Sequence, residues 1–355
     1  MSDPNQPGPP TAGCGDDAPG RANPWVHRVL TLLQLAITLG LLWWLFHDAA
    51  RRGAMFEALS RADWRWMIAA VAAAGVCEYF GILRWQLFLR MLHVEVPFGQ
   101  VTRLFFIGAF FNQFLPGTTG GDVVRVIFLM QDRPGDKTAG FLSVAIDRLL
   151  AVLVLVVMGL AFAWGRSDWF AASFSVGNLM KYLSIALFVM LAGLVVSFVV
   201  TSRRAVLSLP KKFPFRKQIV KLSTLWQLCI ENRREAILGT IYTVPMLFAY
   251  FTAFTFAARA FIPPESMSFG EVFWDMTSVM PLVTAVSSLP ISLNGIGVRE
   301  ALFGQIFEDL FNKDFHGLGV LTSIAGMAVY LLWGLVGAVF YLDRIRNGAR
   351  ARGLR

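Results

Sequence analysis

Long apolar runs separated by short polar stretches make up most of the chain after residue 24. Runs of about 20 apolar residues match the thickness of the hydrocarbon core of a bilayer, so they predict membrane-spanning helices. The pattern predicts six full spans, at about 26–46, 66–90, 141–164, 179–200, 236–261 and 318–342. The predicted fold class is therefore an all-α, polytopic membrane helix bundle.

Two further apolar segments, 98–130 and 269–311, are interrupted near their middles by a Leu-Pro pair. In both segments a glycine follows the proline by five residues and an arginine follows it by nine. Because proline and glycine break helices, each segment is predicted to form a re-entrant helical hairpin. The matching residues are Pro116 and Pro290, Gly121 and Gly295, and Arg125 and Arg299.

Basic residues predict the orientation, because cytoplasmic loops carry an excess of lysine and arginine. The polar loop 201–235 and the C-terminal tail are both rich in these residues, so both are assigned to the cytoplasm. Counting spans from there also puts the N-terminus in the cytoplasm. The hairpin 99–130 then enters from the cytoplasm and the hairpin 270–311 from outside. Loop 47–65 falls outside although it carries four arginines, so its side is left open.

Each half of the chain then contains two spans, a hairpin and one span, and the halves have opposite topologies. The halves, about 25–165 and 179–343, are predicted to form an inverted repeat, as in many transporters. Residues 1–24 are rich in Pro, Gly, Asp and Asn and are predicted to be a disordered cytoplasmic tail. Residues 25–345 form the membrane domain, and 346–355 form a basic cytoplasmic tail. The predicted location is the cell (inner) membrane.

Composition supports this assignment, since 56% of the 355 residues are hydrophobic and only 15% are charged. Soluble domains carry about 25% charged residues. The net charge of +9 lies in loops and at the C-terminus, which indicates membrane flanks rather than nucleic-acid binding. The cysteines Cys14, Cys77 and Cys229 are far apart, and the histidines lack metal-ligand spacing. We therefore expect no metal and no cofactor.

The helix breaks are the candidate binding site. A helix that begins near Gly121 or Gly295 would point free N–H groups at the break, which favours an anion and above all phosphate. The N-cap residue types Thr118, Thr119 and Ser292, together with Asn294, precede these starts. An arginine within about one turn could bind phosphate through two hydrogen bonds. The predicted substrate-binding residues are Gly120, Gly121, Arg125, Gly295, Gly297 and Arg299.

The alternative is that proline and glycine only form tight turns and that the arginines are paired internally. Six further charged residues are candidates for gating or positioning: Asp122, Asp147, Arg148, Glu300, Glu78 and Arg84. Asp122 and Glu300 could hold the arginines, couple to protons, or release an ion pair when substrate binds. Asp147 and Arg148 lie at the cytoplasmic start of their span, where they either extend to the membrane interface or provide a partner for Arg125.

The second span carries two of these candidates at a spacing of six residues. A charged Glu78 at membrane depth is expected to face a cavity or a partner. Arg84 lies near the end of the span and has an easier route to the lipid headgroups.

Several linked motifs resemble the lysylphosphatidylglycerol synthase transmembrane-region family over roughly residues 25–345. They are Phe111-Asn112-Gln113-Phe114-Leu115-Pro116 with Gly120-Gly121-Asp122 and Arg125, Leu83-Arg84-Trp85, Ala145-Ile146-Asp147-Arg148-Leu149, and Leu289-Pro290 with Gly295-Ile296-Gly297-Val298-Arg299-Glu300. The resemblance implies a flippase-like domain that handles a lipid with a phosphate head. The family's synthases carry a separate aminoacyl-transferase domain, for which this sequence leaves no room, so synthase activity is not expected.

The first functional hypothesis is a flippase or transporter of a phosphate-headed lipid, of the phospholipid or polyprenyl-phosphate type. The alternatives are a membrane enzyme that acts on lipid-linked phosphate or sugar, and an accessory subunit. Expected partners are membrane lipids with an anionic headgroup, and loop 201–235 is a candidate docking site for a lipid-modifying enzyme. The sequence does not predict an oligomeric state, the lipid, the direction or a coupling ion.

Overall fold

The computed structural model describes residues 24–114, 120–133, 137–201, 216–288, 292, 295–311, 315 and 317–353. These residues form thirteen α-helices and contain no strand. The predicted all-α membrane bundle is therefore confirmed.

The helices follow the order of the apolar segments. The first six are α1 (Pro24–His47), α2 (Ala49–Ser60), α3 (Trp64–Met91), α4 (Phe98–Phe114), α5 (Gly120–Asp132) and α6 (Lys137–Gly165). The others are α7 (Ser167–Phe170), α8 (Phe174–Thr201), α9 (Arg216–Glu231), α10 (Arg233–Arg259), α11 (Phe269–Ser287), α12 (Val298–Ile306) and α13 (Leu318–Gly353). A π-helical turn, Phe307–Phe311, follows α12.

Five helices of the described chain, α3, α6, α8, α10 and α13, are long and apolar enough to cross a membrane. They correspond to five of the six predicted spans. The remaining predicted span lies in α1, where a shorter apolar stretch, Leu32–Trp44, is found.

Among the described helices, α3 and α10 make the most extensive contact. The surrounding contacts occur in matched pairs. Helix α4 packs on α13 and α11 packs on α6, while α3 packs on α13 and α10 packs on α6. The first helix of each broken segment, α4 or α11, therefore packs against the long final helix of the other half, whereas α3 and α10 each contact both final helices. This arrangement brings the two broken segments, α4–α5 and α11–α12, into the same bundle.

Three polar segments differ from the sequence prediction. Loop 201–235 contains α9, whose Trp226 and Cys229 are buried, and helix α9 packs against α8, α10 and α6. Loop 47–65 contains α2, and α13 continues through the predicted tail to Gly353. Hydropathy alone misses such helices because a half-buried amphipathic helix is not apolar on average.

Candidate functional site

The first break is followed by a helix start close to the predicted position, because α5 begins at Gly120. The Gly121 N–H donates a hydrogen bond to Asn112 Oδ1 of α4 at 2.8 Å. This donor, predicted to be free for an anion, is therefore capped by a side chain. Residues 115–119, including Thr118 and Thr119, lie outside the described residues.

Arg125 lies just over one turn into α5, and only 4% of the residue is exposed. Its Nη2 atom is 3.2 Å from Asp122 Oδ1 and 3.4 Å from Asp147 Oδ2. Its guanidinium carbon lies 4.6 Å from the centre of the Trp85 ring, so a cation–π contact adds to the ion pairs. The Arg125 Nε atom is buried and makes no hydrogen bond to any described residue. Of the two possibilities that the sequence left open for Asp147, the structure has the contact with Arg125.

Asp147 joins this arginine to a second one. Its Oδ1 atom lies 2.7 Å from Arg84 Nε, although the N–H does not point at the oxygen, so the contact is an ion pair rather than a hydrogen bond. Arg84 also donates from Nη1 to Thr243 Oγ1 of α10 at 3.1 Å. The expectation that Arg84 reaches the lipid headgroups is wrong, because the residue is buried among these partners.

The position of Asp147 along its helix also differs from the prediction. Helix α6 begins at Lys137, about ten residues before the apolar run becomes continuous, so Asp147 lies in the third turn and not at the start. The adjacent Arg148 has a half-exposed side chain and donates from Nε to Asp122 Oδ2 at 2.7 Å. The gating candidates Asp122, Asp147, Arg148 and Arg84 therefore form one network with Arg125, called here the first arginine cluster.

A polar cavity of about 220 Å³ borders the first arginine cluster. All five charged residues of the cluster line it, and so does Glu78, as expected for a glutamate at membrane depth. The other lining residues are Cys77, Gly81, Phe105, Gly108, Ala109, Asn112, Gln113 and Met246. The cluster therefore has an open side with room for a small polar group.

The second break is followed by α12, whose N-cap is Gly297 with φ 88°. Such a positive φ is accessible to glycine at little cost. The Gly297 N–H donates to Glu300 Oε2 at 2.6 Å, so Glu300 caps its own helix. Ser292 does not act as the N-cap, because it lies six residues before Val298, and its buried hydroxyl has no partner among the described residues. Asn294 lies outside the described residues.

Arg299 lies in the first turn of α12 and is 7% exposed. It donates from Nε to Ser323 Oγ of α13 at 2.9 Å and from Nη2 to Glu300 Oε1 at 3.1 Å. Ser323 in turn donates to Glu300 Oε1 at 2.8 Å. We call these three residues the second arginine cluster. In both halves the arginine of the broken segment therefore contacts the long helix that follows it, through Asp147 in α6 or Ser323 in α13.

The two arginine clusters share no ion-pair partner among the described residues. Two tyrosines lie between them. Tyr250 of α10 interacts with Arg299, and its ring centre is 5.2 Å from that of Tyr330 of α13. Tyr330 lies beside Cys77, which lines the cavity of the first cluster, and its hydroxyl makes no hydrogen bond of good geometry to a described residue. Gly295, with φ 74°, belongs to the turn before α12.

Two further ion pairs connect each broken segment to the final helix of the other half. Arg344 of α13 binds Asp132 of α5 at 2.6 Å, and Arg166, next to the end of α6, binds Asp275 of α11. Partial burial alone would raise the pKa of Asp132, but hydrogen bonds from Arg344 and Gln100 lower it below its usual value. Asp132 precedes α6 and Arg166 follows it, so the two pairs lie at opposite ends of that helix.

The carboxylates of the two clusters are all paired with arginines. Asp122 contacts Arg125 and Arg148, Asp147 contacts Arg84 and Arg125, and Glu300 contacts Arg299. The sequence left three roles open for Asp122 and Glu300. Both residues make the contacts that one of these roles requires, which is to hold an arginine in place.

Comparison with known proteins agrees with this organisation. The sequence matches the family model described as "Lysylphosphatidylglycerol synthase TM region" over residues 31–342. A curated relative, the UPF0104 membrane protein PH1989 of Pyrococcus horikoshii, is 32% identical over 139 residues, which are 38% of this chain and 40% of that protein. The match thus spans less than half of that relative. The family match includes both arginine clusters, and the chain therefore belongs to the lysylphosphatidylglycerol synthase transmembrane-region family.

Proposed function

We propose that this protein moves a lipid with an anionic phosphate headgroup across the cell membrane and that the first arginine cluster binds the headgroup. The observation that carries the proposal concerns Arg125, a buried arginine that lines the cavity. Its Nε atom has no hydrogen-bond partner among the described residues. An unsatisfied, charged donor at membrane depth is costly, so its presence favours a ligand that accepts the hydrogen bond.

The charges around the cavity support an anion as that ligand. Three arginines line it, and only two carboxylates, Asp122 and Asp147, are paired with them, because the third carboxylate, Glu78, contacts no arginine of the described chain. The Arg125 guanidinium is also fixed in place by Trp85 and by two carboxylates, so little ordering is needed when a phosphate binds. A cavity of about 220 Å³ suits a headgroup, while the acyl chains would remain in the bilayer.

The second arginine cluster is proposed to serve the same lipid on the other side of the membrane. Its arginine follows a helix break, lies near the start of a helix, and bonds to the next long helix, as Arg125 does. The packing of α4 on α13 and of α11 on α6 supports an inverted repeat that rocks about the paired helices α3 and α10. The ion pairs of Arg344 and Arg166 would then open in turn. Both termini are proposed to be cytoplasmic.

The test is lipid movement by the purified protein in liposomes that contain fluorescent phosphatidylglycerol. We expect the wild type to expose inner-leaflet label to an external quencher faster than empty liposomes do. Arg125→Lys keeps the charge but loses the planar donors, so the rate should fall about tenfold or more, since hydrogen bonds to charged groups contribute about 1.5–3 kcal/mol.

The matched control is Arg90→Lys, because Arg90 is an exposed arginine of α3 outside both clusters. It should move lipid at the wild-type rate. Combined replacement of both cluster arginines, Arg125→Ala with Arg299→Ala, should abolish movement. Wild-type rates in this double variant would rule out the proposed site.

A further inference from the structure

Glu78 is the one cavity-lining carboxylate that the arginines leave unpaired. It lies in the membrane-spanning helix α3 and borders the same cavity as Arg125. Among the described residues it makes neither an ion pair nor a hydrogen bond, whereas Asp122 and Asp147 each contact two arginines. An intramembrane carboxylate is costly to keep charged unless another charge compensates it.

Several titratable or charged groups line the same cavity as Glu78 or lie beside it. They are Cys77 and Arg84 from α3, Asp122 and Arg125 from α5, Asp147 and Arg148 from α6, and Tyr330 from α13. Helices α4 and α10 contribute only neutral side chains to the cavity, namely those of Phe105, Ala109, Asn112, Gln113 and Met246. The charge of the cavity is therefore set by three arginines, two aspartates and Glu78.

This count makes Glu78 decisive for the net charge. The arginines and the two paired aspartates leave one positive charge. An ionised Glu78 cancels that charge, and the empty cavity is then neutral. A protonated Glu78 leaves the positive charge in place, and one negative charge from a ligand would then restore neutrality. Since net charge inside a membrane protein is strongly disfavoured, these two neutral states should dominate.

We propose that Glu78 takes up one proton from water when a phosphate monoanion of a lipid headgroup enters the cavity, and releases it when the headgroup leaves. The proposal rests on the function proposed above, and it adds coupling of lipid binding to protons. The proton goes to a Glu78 carboxylate oxygen, and the phosphate takes over the compensation of the arginines. A proton gradient would then drive lipid movement across the membrane, and the transport would need no nucleotide.

Coupling between two ligands is reciprocal, so proton binding and lipid binding must strengthen each other by the same factor. If one proton is taken up per headgroup, the lipid affinity falls by at most about tenfold for each pH unit above the point where Glu78 loses its proton. The dependence disappears if Glu78 cannot ionise. Glutamine has nearly the shape of glutamic acid and is always neutral, so it mimics the protonated state.

The experiment measures binding of short-chain phosphatidylglycerol to the purified, full-length protein between about pH 5 and pH 9, the range in which buried glutamates titrate. We expect the wild-type affinity to fall with rising pH, by up to about tenfold per unit. Glu78→Gln should bind at every pH as tightly as the wild type binds at low pH. The matched control Glu95→Gln, at an exposed glutamate in the loop after α3, should follow the wild type.

Two results would overturn the coupling: a wild-type affinity that does not change with pH, or a Glu78→Gln variant that retains the wild-type pH dependence. Inorganic phosphate is the second probe, and an affinity equal to that for the lipid would overturn the lipid as the occupant. Failure of the coupling is distinct from failure of transport. A wild type that moves labelled lipid in liposomes but binds it equally at every pH disproves the role of Glu78 and leaves transport standing.

Discussion

Replacing Asp147 by asparagine is expected to lower the free energy of unfolding by about 3–5 kcal/mol, the range found when one partner of a buried ion pair is removed. Asp147 is 4% exposed and compensates both Arg84 and Arg125. Without its charge, the first arginine cluster gains a further uncompensated positive charge at membrane depth. The measurement is the unfolding transition of the purified protein in mixed micelles as denaturing detergent is added.

The matched control is Asp132→Asn. Asp132 also pairs with an arginine, but its side chain is 24% exposed at the end of α5, so the loss should be below about 1 kcal/mol. Adding Arg84→Gln to Asp147→Asn removes one of the two freed arginines and should recover part of the stability. Equal stability of the two single variants would contradict a buried network that depends on Asp147.

Replacing Gly121 by alanine is expected to destabilise the protein by about 1–3 kcal/mol and to stop lipid movement. A Cβ at this position would overlap the carbonyl oxygen of Gly108 and lie 2.7 Å from the Asn112 backbone nitrogen. Both contacts are to the backbone of α4, so no side-chain rotation can relieve them. Helix α5 would have to move away from α4 and carry Arg125 out of its position beside Trp85.

Gly99→Ala is the control for this variant, because a Cβ at Gly99 meets nothing within 4 Å. Gly99 lies in α4, the helix against which Gly121 packs, and alanine favours helices over glycine by about 0.5–1 kcal/mol. Gly99→Ala should therefore be as stable as the wild type or slightly more so, with normal lipid movement. If Gly121→Ala behaved in the same way, the close approach of α4 and α5 would not matter for the site.

The sequence predicts the local features of the site well. The repeated Leu-Pro and glycine pattern predicted helix starts near Gly121 and Gly295, and the structure has them at Gly120 and Val298. The contact between Arg125 and Asp147 was one of the two possibilities that the sequence left open for Asp147. Such features depend on the backbone chemistry of a few neighbouring residues, and that chemistry can be read from the sequence.

Contacts between distant helices could not be predicted in this way. The partner of Arg299 on α13 is Ser323, a neutral residue that hydropathy does not distinguish from its neighbours. Asn112 could have been noticed as an amide in an apolar segment, but its role as a cap for Gly121 depends on how α4 and α5 pack. The bridging tyrosines Tyr250 and Tyr330 lie 80 residues apart in sequence. Rotation of each helix about its axis decides these contacts, and apolar composition does not fix that rotation.

The central claim is that the first arginine cluster holds a lipid phosphate. Its most direct test is a structure of the protein in bilayer nanodiscs that contain phosphatidylglycerol, with the headgroup located relative to Arg125 Nε. We predict phosphate density inside the cavity of the first arginine cluster, about 3 Å from a guanidinium nitrogen of Arg125 and so within hydrogen-bond distance. A cavity that holds only water, with every ordered lipid phosphate outside the bundle, would contradict the account.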